Sequence, residues 1–267
     1  MPALQSRSPA SHAERVVTVT SVPNLPMIRP GDDLALCLIS ACDTGGLLPE
    51  DGDIWVIAQK VVSKAEGRYI DLAHIEPSRR ARELSVEVDK DPRLIEVILA
   101  ESRRVVRHRR GVLIVEHRLG FVTANAGVDQ SNVDPAAGIE PVLLLPSDPD
   151  ASAARLLDRL TTRFGKRFGV IIADSFGRPW RRGTVGVAIG AAGIPALVDM
   201  RGRPDLFGRA LRVTETGFAD EVAAAATLLM GQSNEARPVA LVRGAAWSGP
   251  PSGSTSLVRP PEEDLFR

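Results

Sequence analysis

The residue types most able to do chemistry sit in three short stretches. In the first, Asp174 and Ser175 directly follow the apolar run Val170, Ile171, Ile172 and Ala173. A carboxylate beside a hydroxyl at the exit of a buried strand suits a hard divalent cation and its phosphate ligands. Arg178, Arg181 and Arg182 then place three guanidinium groups close together, and arginine is the side chain best matched to bidentate capture of phosphate or carboxylate. Gly177 and Pro179 are expected to break the strand. An interface or a structural ion-pair cluster is the alternative use of these charges. In the second stretch, Asn125, Asp129, Ser131, Asn132 and Asp134 crowd oxygen-bearing side chains into a glycine-containing turn. The glycine falls too early for an EF-hand and no terminal Glu completes one. Asp129 is the candidate metal carboxylate, with Asx-turn chemistry as its alternative role. In the third, Gln59, Lys60, Ser63 and Lys64 follow the apolar residues Ile54, Trp55, Val56, Ile57 and Ala58. Lysines at a strand exit are phosphate ligands or ordinary solvated side chains.

Elements must bring these stretches together, and the apolar patterning predicts which ones. Strands are expected over residues 15–21, 54–58, 112–116, 119–124, 142–145 and 170–173, then over the small-residue run 184–193 and over 238–242. Pro23, Pro26 and Pro30 stiffen the loop over residues 24–29, either as a rigid connector or as a nest for a purine edge. Asp32 and Asp33 are placed in the first turn of a helix carrying Leu34, Leu38 and Ile39. Residues 71–88 are expected to be an interrupted helix, and residues 94–103 a clearer one capped by Asp89 or Asp91, with Pro92 in its first turn. Ser147 or Asp148 caps a further helix from Pro149, with Leu156, Leu157, Leu160 and Phe164 as its packing stripe. Two strands around a polar turn are expected within residues 195–217. An alanine-rich helix runs from Asp220 to Gly231, leaving Gln232, Asn234 and Glu235 at its C-terminal end.

Composition narrows the classes. The chain has 267 residues, 44% of them hydrophobic, with 33 basic and 33 acidic side chains, so it can bury a substantial core and carries no net basic field for nucleic acid. Aromatics make up 4%, too few for a single-strand stacking platform. The basic run 103–110 is balanced elsewhere, and its valines suit strand or helix packing. Cys37 and Cys42 stand in no CxxC and supply neither a zinc site nor a disulfide framework, which fits a reducing cytoplasm. His108 and His117 have no third ligand nearby in sequence. No apolar run reaches the length of a membrane span, and the first fifteen residues lack the apolar core of a signal peptide. The Pro-, Gly- and Ser-rich end over residues 248–267 is expected to fray. GxxxxGK[ST], GxGxxG and GxSxG are all missing.

Five segments, "LPMIRPGDDLA", "QKVVSKAEGR", "NAGVDQSN", "ADSFGRPWRRGTVGVAIGAAG" and "DEVAAAATLLMGQ", occur in the order in which they occur in the coenzyme F(420)-0:L-glutamate ligase family. On these segments the chain resembles that family in its stand-alone form. The resemblance implies a mixed α/β or α+β fold that is neither P-loop, Rossmann nor ATP-grasp, in an intertwined homodimer. It divides the chain into a disordered tail over 1–14, one ligase domain over 15–245 and a C-terminal tail over 246–267. It implies a GTP-dependent ligase joining the lactyl carboxylate of the deazaflavin coenzyme F(420)-0 to the α-amine of L-glutamate through an acyl phosphate, with γ-linked glutamate addition left open as a further step. Mn2+ or Mg2+ and K+ are the implied ions. Carried over by position, Asp129, Asp174, Ser175 and Gln232 would bind metal. Asn24, Leu25, Pro26, Met27, Ile28, Gln59, Lys60, Lys64, Asn132, Met230, Gly231, Gln232, Ser233, Asn234 and Glu235 would face the nucleotide. Lys64, Arg178 and Arg182 would carry catalytic charge stabilisation. Ser175 stands where threonine also occurs in the family, and Asn24 where glycine is common.

Overall fold

The computed structural model describes residues 15–133 and 138–265; the tail expected over 1–14, and Asp134, lie outside them. Among the described residues, twelve strands and six α-helices follow in the order β1 (Thr18–Ser21), α1 (Leu34–Gly45), β2 (Ile54–Ala58), α2 (Gln59–Ala65), β3 (Tyr69–Asp71), α3 (Arg79–Val88), α4 (Pro92–Ala100), β4 (Ser102–Arg109), β5 (Val112–His117), β6 (Val122–Ala124), β7 (Pro141–Leu143), α5 (Pro149–Phe164), β8 (Gly169–Arg178), β9 (Arg181–Ala192), β10 (Val198–Asp199), β11 (Glu215–Thr216), α6 (Phe218–Met230) and β12 (Val239–Arg243).

The main sheet has the order β1-β12-β2-β8-β9. Only β2 and β8 are parallel in it, with Ala58 opposite Ala173. Its centre is buried on both faces, and alternation of side chains sorts the apolar residues. Trp55, Ile57, Val170 and Ile172 face a core built with Leu34, Leu38, Leu156 and Leu160 of α1 and α5. Ile54, Val56, Ile171 and Ala173 face Ala219, Ala223 and Ala226 of α6. The helices come close because β9 offers glycine: a Cβ on Gly186 would lie 2.7 Å from the Ala223 carbonyl oxygen, and one on Gly190 would lie 2.5 Å from that of Pro149. A third core packs α3 and α4, through Leu84, Ile95 and Ile98, against Leu113 and Val115 of the three-stranded sheet β4-β5-β6. β3 and β7 form a short antiparallel pair. The mixed α and β composition agrees with the expected class.

Several sequence expectations are corrected. Asp32 and Asp33 precede α1: Asp33 is its N-cap and accepts a hydrogen bond from the Leu36 N–H, the usual use of an aspartate just before a helix. Residues 102 and 103 belong to β4, since α4 stops at Ala100. The element carrying Asp174 and Ser175 does not end before them. β8 continues to Arg178 because β9 pairs with it throughout, and Gly177 sits opposite Thr184. The end of the chain does not fray in its described part. The Ser254 N–H donates to Asp150, its hydroxyl donates to the Ile189 carbonyl, and Leu257 packs on the α6 core. β10 and β11 are two-residue strands separated by a long loop, shorter than the patterning suggests.

Candidate functional site

The three stretches meet because β2 and β8 are parallel neighbours ending on the same side. Beyond the Ala58–Ala173 pair, β2 passes directly into α2, which begins with Gln59 and Lys60, and β8 continues to Asp174 and Ser175. Asp129 arrives from a third direction. Its backbone exchanges two hydrogen bonds with Leu143 at the end of β7, at 2.9 and 2.8 Å, which fixes the residue independently of its side chain. The turn before it is tight, with Asn125, Ala126 and Gly127 all at positive φ.

These residues line one cavity of about 720 Å³. Leu25, Pro26, Met27 and Ile28 of the proline loop form part of its wall, as do Gln59, Lys60 and Lys64 from α2, and Asp129, Ser131 and Asn132 from the turn. The chain from Met230 to Pro238 completes it. Every residue expected to face the nucleotide or a metal therefore lines this cavity, except Asn24. Arg178 and Arg182 do not line it: both are exposed on the β8–β9 hairpin, and Arg178 donates to the Arg182 carbonyl at 3.3 Å. Thr227 and Arg237 line the cavity without having been singled out from the sequence. Thr227 follows the alanine run of α6, and the proximity of Arg237 to Gln232 was its only available signal.

Hydrogen bonds tie the segments together. Lys64, almost wholly buried, donates to the Asn132 carbonyl at 2.7 Å, and the Asn132 side-chain amide donates to the Ser233 carbonyl at 3.1 Å. Gln59 is buried and accepts from the Ser63 hydroxyl at 2.9 Å. Gly231, just past α6, has φ 77° and ψ −176°, a combination open essentially to glycine. A Cβ there would also lie 2.2 Å from the Glu235 side chain. Glu235 in turn accepts from the Ser233 N–H at 2.8 Å, closing the loop on itself.

The electrostatics divide the two carboxylates. Burial pushes Asp174 up to about 6; the Asp129 charge adds to the shift, and the Ser175 N–H, donating at 2.8 Å, opposes it. For Asp129 burial also acts upward, but hydrogen bonds from Lys60 and Ser131 outweigh it and hold the carboxyl below its ordinary range. Lys60 and Asp129 form an ion pair at 2.7 Å. Among the described residues no three His, Cys, Asp or Glu side chains form a metal cluster, so a cation here would have two carboxylates, with Ser175 and Gln232 as neutral oxygen donors. That donor set suits a hard ion that keeps several positions for water or phosphate oxygens. Asp174 stays raised although the Lys60 charge opposes the shift, because burial is the larger effect.

The match to known proteins follows the same segments. Residues 23–244 match the model of the family described as F(420)-0:Gamma-glutamyl ligase. The chain belongs to this family. It is therefore an enzyme, a ligase. Among the family's curated members, the coenzyme F(420):L-glutamate ligase of Methanothermobacter thermautotrophicus is 45% identical over 253 residues, 94% of this chain and 99% of that protein. The proteins of the same name from Methanocaldococcus jannaschii and Archaeoglobus fulgidus are 46% and 43% identical, covering 91% and 94% of this chain and 94% and 96% of their own lengths. The segment that matches this ligase family contains every residue lining the cavity, whereas residues 245–265, of which Trp247 and Leu257 pack on the core around α6 and Ser254 bonds to Asp150 of α5, lie outside it. No helix among the described residues is long and apolar enough to cross a membrane.

Proposed function

We propose that this ligase forms an amide between the lactyl carboxylate of coenzyme F(420)-0 and the α-amine of L-glutamate, driven by GTP, with GDP and phosphate as the other products. A carboxylate and an ammonium do not condense in water at a useful rate, so the carboxylate is first activated. Its oxygen attacks the γ-phosphorus of GTP, the bond to the β-phosphate oxygen breaks, and an acyl phosphate and GDP result. The glutamate amine then attacks the acyl carbon and phosphate leaves. The observation carrying this reading is that one cavity collects Asp129, Asp174, Ser175 and Gln232 together with Lys60, Lys64 and the proline loop. Among the described residues lining it there is no cysteine or nucleophile-elbow serine to serve as an acyl carrier. Phosphoryl transfer asks mainly for positioning and charge stabilisation, and this set supplies both.

Asp129, Asp174, Ser175 and Gln232 would hold Mn2+ or Mg2+. When bound, such an ion neutralises phosphate oxygens and draws off the charge that develops on them. Lys64, fixed by the Asn132 carbonyl, stabilises phosphate charge, and the loop over residues 24–28 with the segment from Met230 to Glu235 encloses the nucleotide. Arg178 and Arg182, outside the cavity on the hairpin leading from Asp174, would meet the anionic groups of the deazaflavin substrate. K+ assists in this reading, the enzyme works in the cytoplasm, and two copies form a homodimer. The test is to incubate protein, GTP, Mn2+ or Mg2+, glutamate and F(420)-0, and to follow the deazaflavin by mass spectrometry. A glutamyl mass increase with stoichiometric GDP is expected. GTP hydrolysis indifferent to glutamate, with no mass increase, would show a phosphohydrolase instead; GTP binding without turnover would show a regulator.

A further inference from the structure

Lys60 holds a place that two charged ligands would compete for. Its ammonium lies 2.7 Å from Asp129 Oδ2, 2.8 Å from the Ser131 hydroxyl and 3.3 Å from the Ser131 carbonyl, which engages all three of its donors. Asp129 Oδ1 is occupied separately by the N–H and hydroxyl of Ser131, at 2.7 and 2.8 Å. Oδ2 is thus the oxygen through which Asp129 can take a cation, and the lysine sits on it. Lys60 is the second residue of α2, which starts where β2 ends beside Ala173 of β8, and its charge also acts on Asp174, opposing the shift that burial imposes there. Both members of the pair keep 28% of their side-chain surface exposed, towards the cavity. A four-carbon stem lets an ammonium move several ångströms without disturbing its backbone.

We propose that Lys60 is a built-in counter-cation of the Asp129–Asp174 pair, which yields Asp129 to a divalent ion and moves to a phosphate oxygen of the incoming nucleotide. The proposal rests on the nucleotide and metal reading above. A divalent ion arriving alone must displace the ammonium and leave it without an acceptor, next to a new positive charge. An ion arriving with a triphosphate brings the acceptor with it. The metal and nucleotide therefore bind with positive coupling, and the coupling is reciprocal. Lys60 acts here as a positioning residue: it sets the order of loading and offsets the charge of the carboxylate pair.

The experiment is calorimetric titration of the full chain with Mn2+ alone and with Mn2+ in the presence of a non-hydrolysable GTP analogue, for wild type and Lys60→Met. Lys60→Gln is a second variant that keeps a polar group in place. Wild type is expected to bind Mn2+ at least tenfold more tightly when the analogue is present. Both variants should bind Mn2+ alone at least tenfold more tightly than wild type, and should show a smaller gain from the analogue. A purely structural Lys60, needed to hold the Asp129 turn, would give the opposite sign, with Mn2+ weakened by its removal. Variants that bind Mn2+ alone no better than wild type, or that keep the full coupling, would overturn the assignment while leaving the ligase reading intact. Mn2+ binding to neither wild type nor variants, even with the analogue, would overturn both.

Discussion

Asp174 carries the sharpest consequences at the scale of single residues. Its carboxyl is held at about 6 against an ordinary value of 3.8, burial being the first cause. The folded protein without metal thus binds a proton there more tightly than the unfolded chain does. The stability this gives is complete below about pH 4 and is lost as pH rises towards and through about 6. Asp174→Asn removes that loss, and we expect it to raise stability of the metal-free protein at pH 7.5 by roughly 2 kcal/mol and by little at pH 4. Denaturant unfolding at the two pH values checks this, and equal gains at both would contradict it. Asp174→Ala should leave the fold nearly intact and abolish ligation, because in the proposed reading it removes one of the two carboxylates that would hold the cation. Turnover within twofold of wild type at saturating metal would remove Asp174 from the site. Asp129 was legible from sequence only as an oxygen-rich turn. Its ion pair with Lys60 was not, since the two residues lie on separate segments joined only by the fold.

At the scale of elements, β2 and β8 do most to build the site, and both were visible as apolar runs. Their parallel pairing was not, because patterning identifies strands but not their neighbours. The error at Asp174 has the same origin. Gly177 and Pro179 are local breakers, yet a full-length partner strand carried β8 past the first of them. The helix over residues 71–88 read as interrupted because Ser78 begins a new helix there and caps it through the Ala81 N–H. Two predictions belong to this scale. Arg243, at the end of β12, makes hydrogen bonds at 2.8 Å to both oxygens of the fully buried Asp53 before β2. Arg243→Ala leaves that carboxylate without its cation and should cost about 3 kcal/mol, read as a loss in unfolding free energy; a change below about 0.5 kcal/mol would contradict it. Gly231→Ala forces a side chain into a glycine-only conformation and against Glu235. It should raise KM for GTP at least tenfold with a smaller effect on glutamate, and equal effects on the two substrates would argue against the segment after α6 as nucleotide wall.

At the scale of the whole molecule, the chain encloses its cavity with parts far apart in sequence, the proline loop, α2, the Asp129 turn, β8 and the segment after α6. Recurrence of short segments in a fixed order made the family legible, although single motifs for nucleotide binding were missing. The C-terminal segment misled because proline, glycine and serine suggest a loose end, whereas contacts of Ser254 and Leu257 with the main body decide its fate. A chain ending at residue 248 should lose at least about 5 °C in Tm; an unchanged Tm would show those contacts to be idle. The central claim is that GTP activates the substrate carboxylate in this cavity. It is tested most directly by placing oxygen-18 in the lactyl carboxylate of F(420)-0 and following the label through one turnover with GTP, a divalent ion and glutamate. The account predicts GDP, a deazaflavin heavier by one glutamyl unit, and one labelled oxygen in the released phosphate, since the attacking oxygen becomes the bridge of the acyl phosphate and departs with phosphorus. Label in GMP with release of pyrophosphate, or unlabelled phosphate with no glutamyl product, would contradict it.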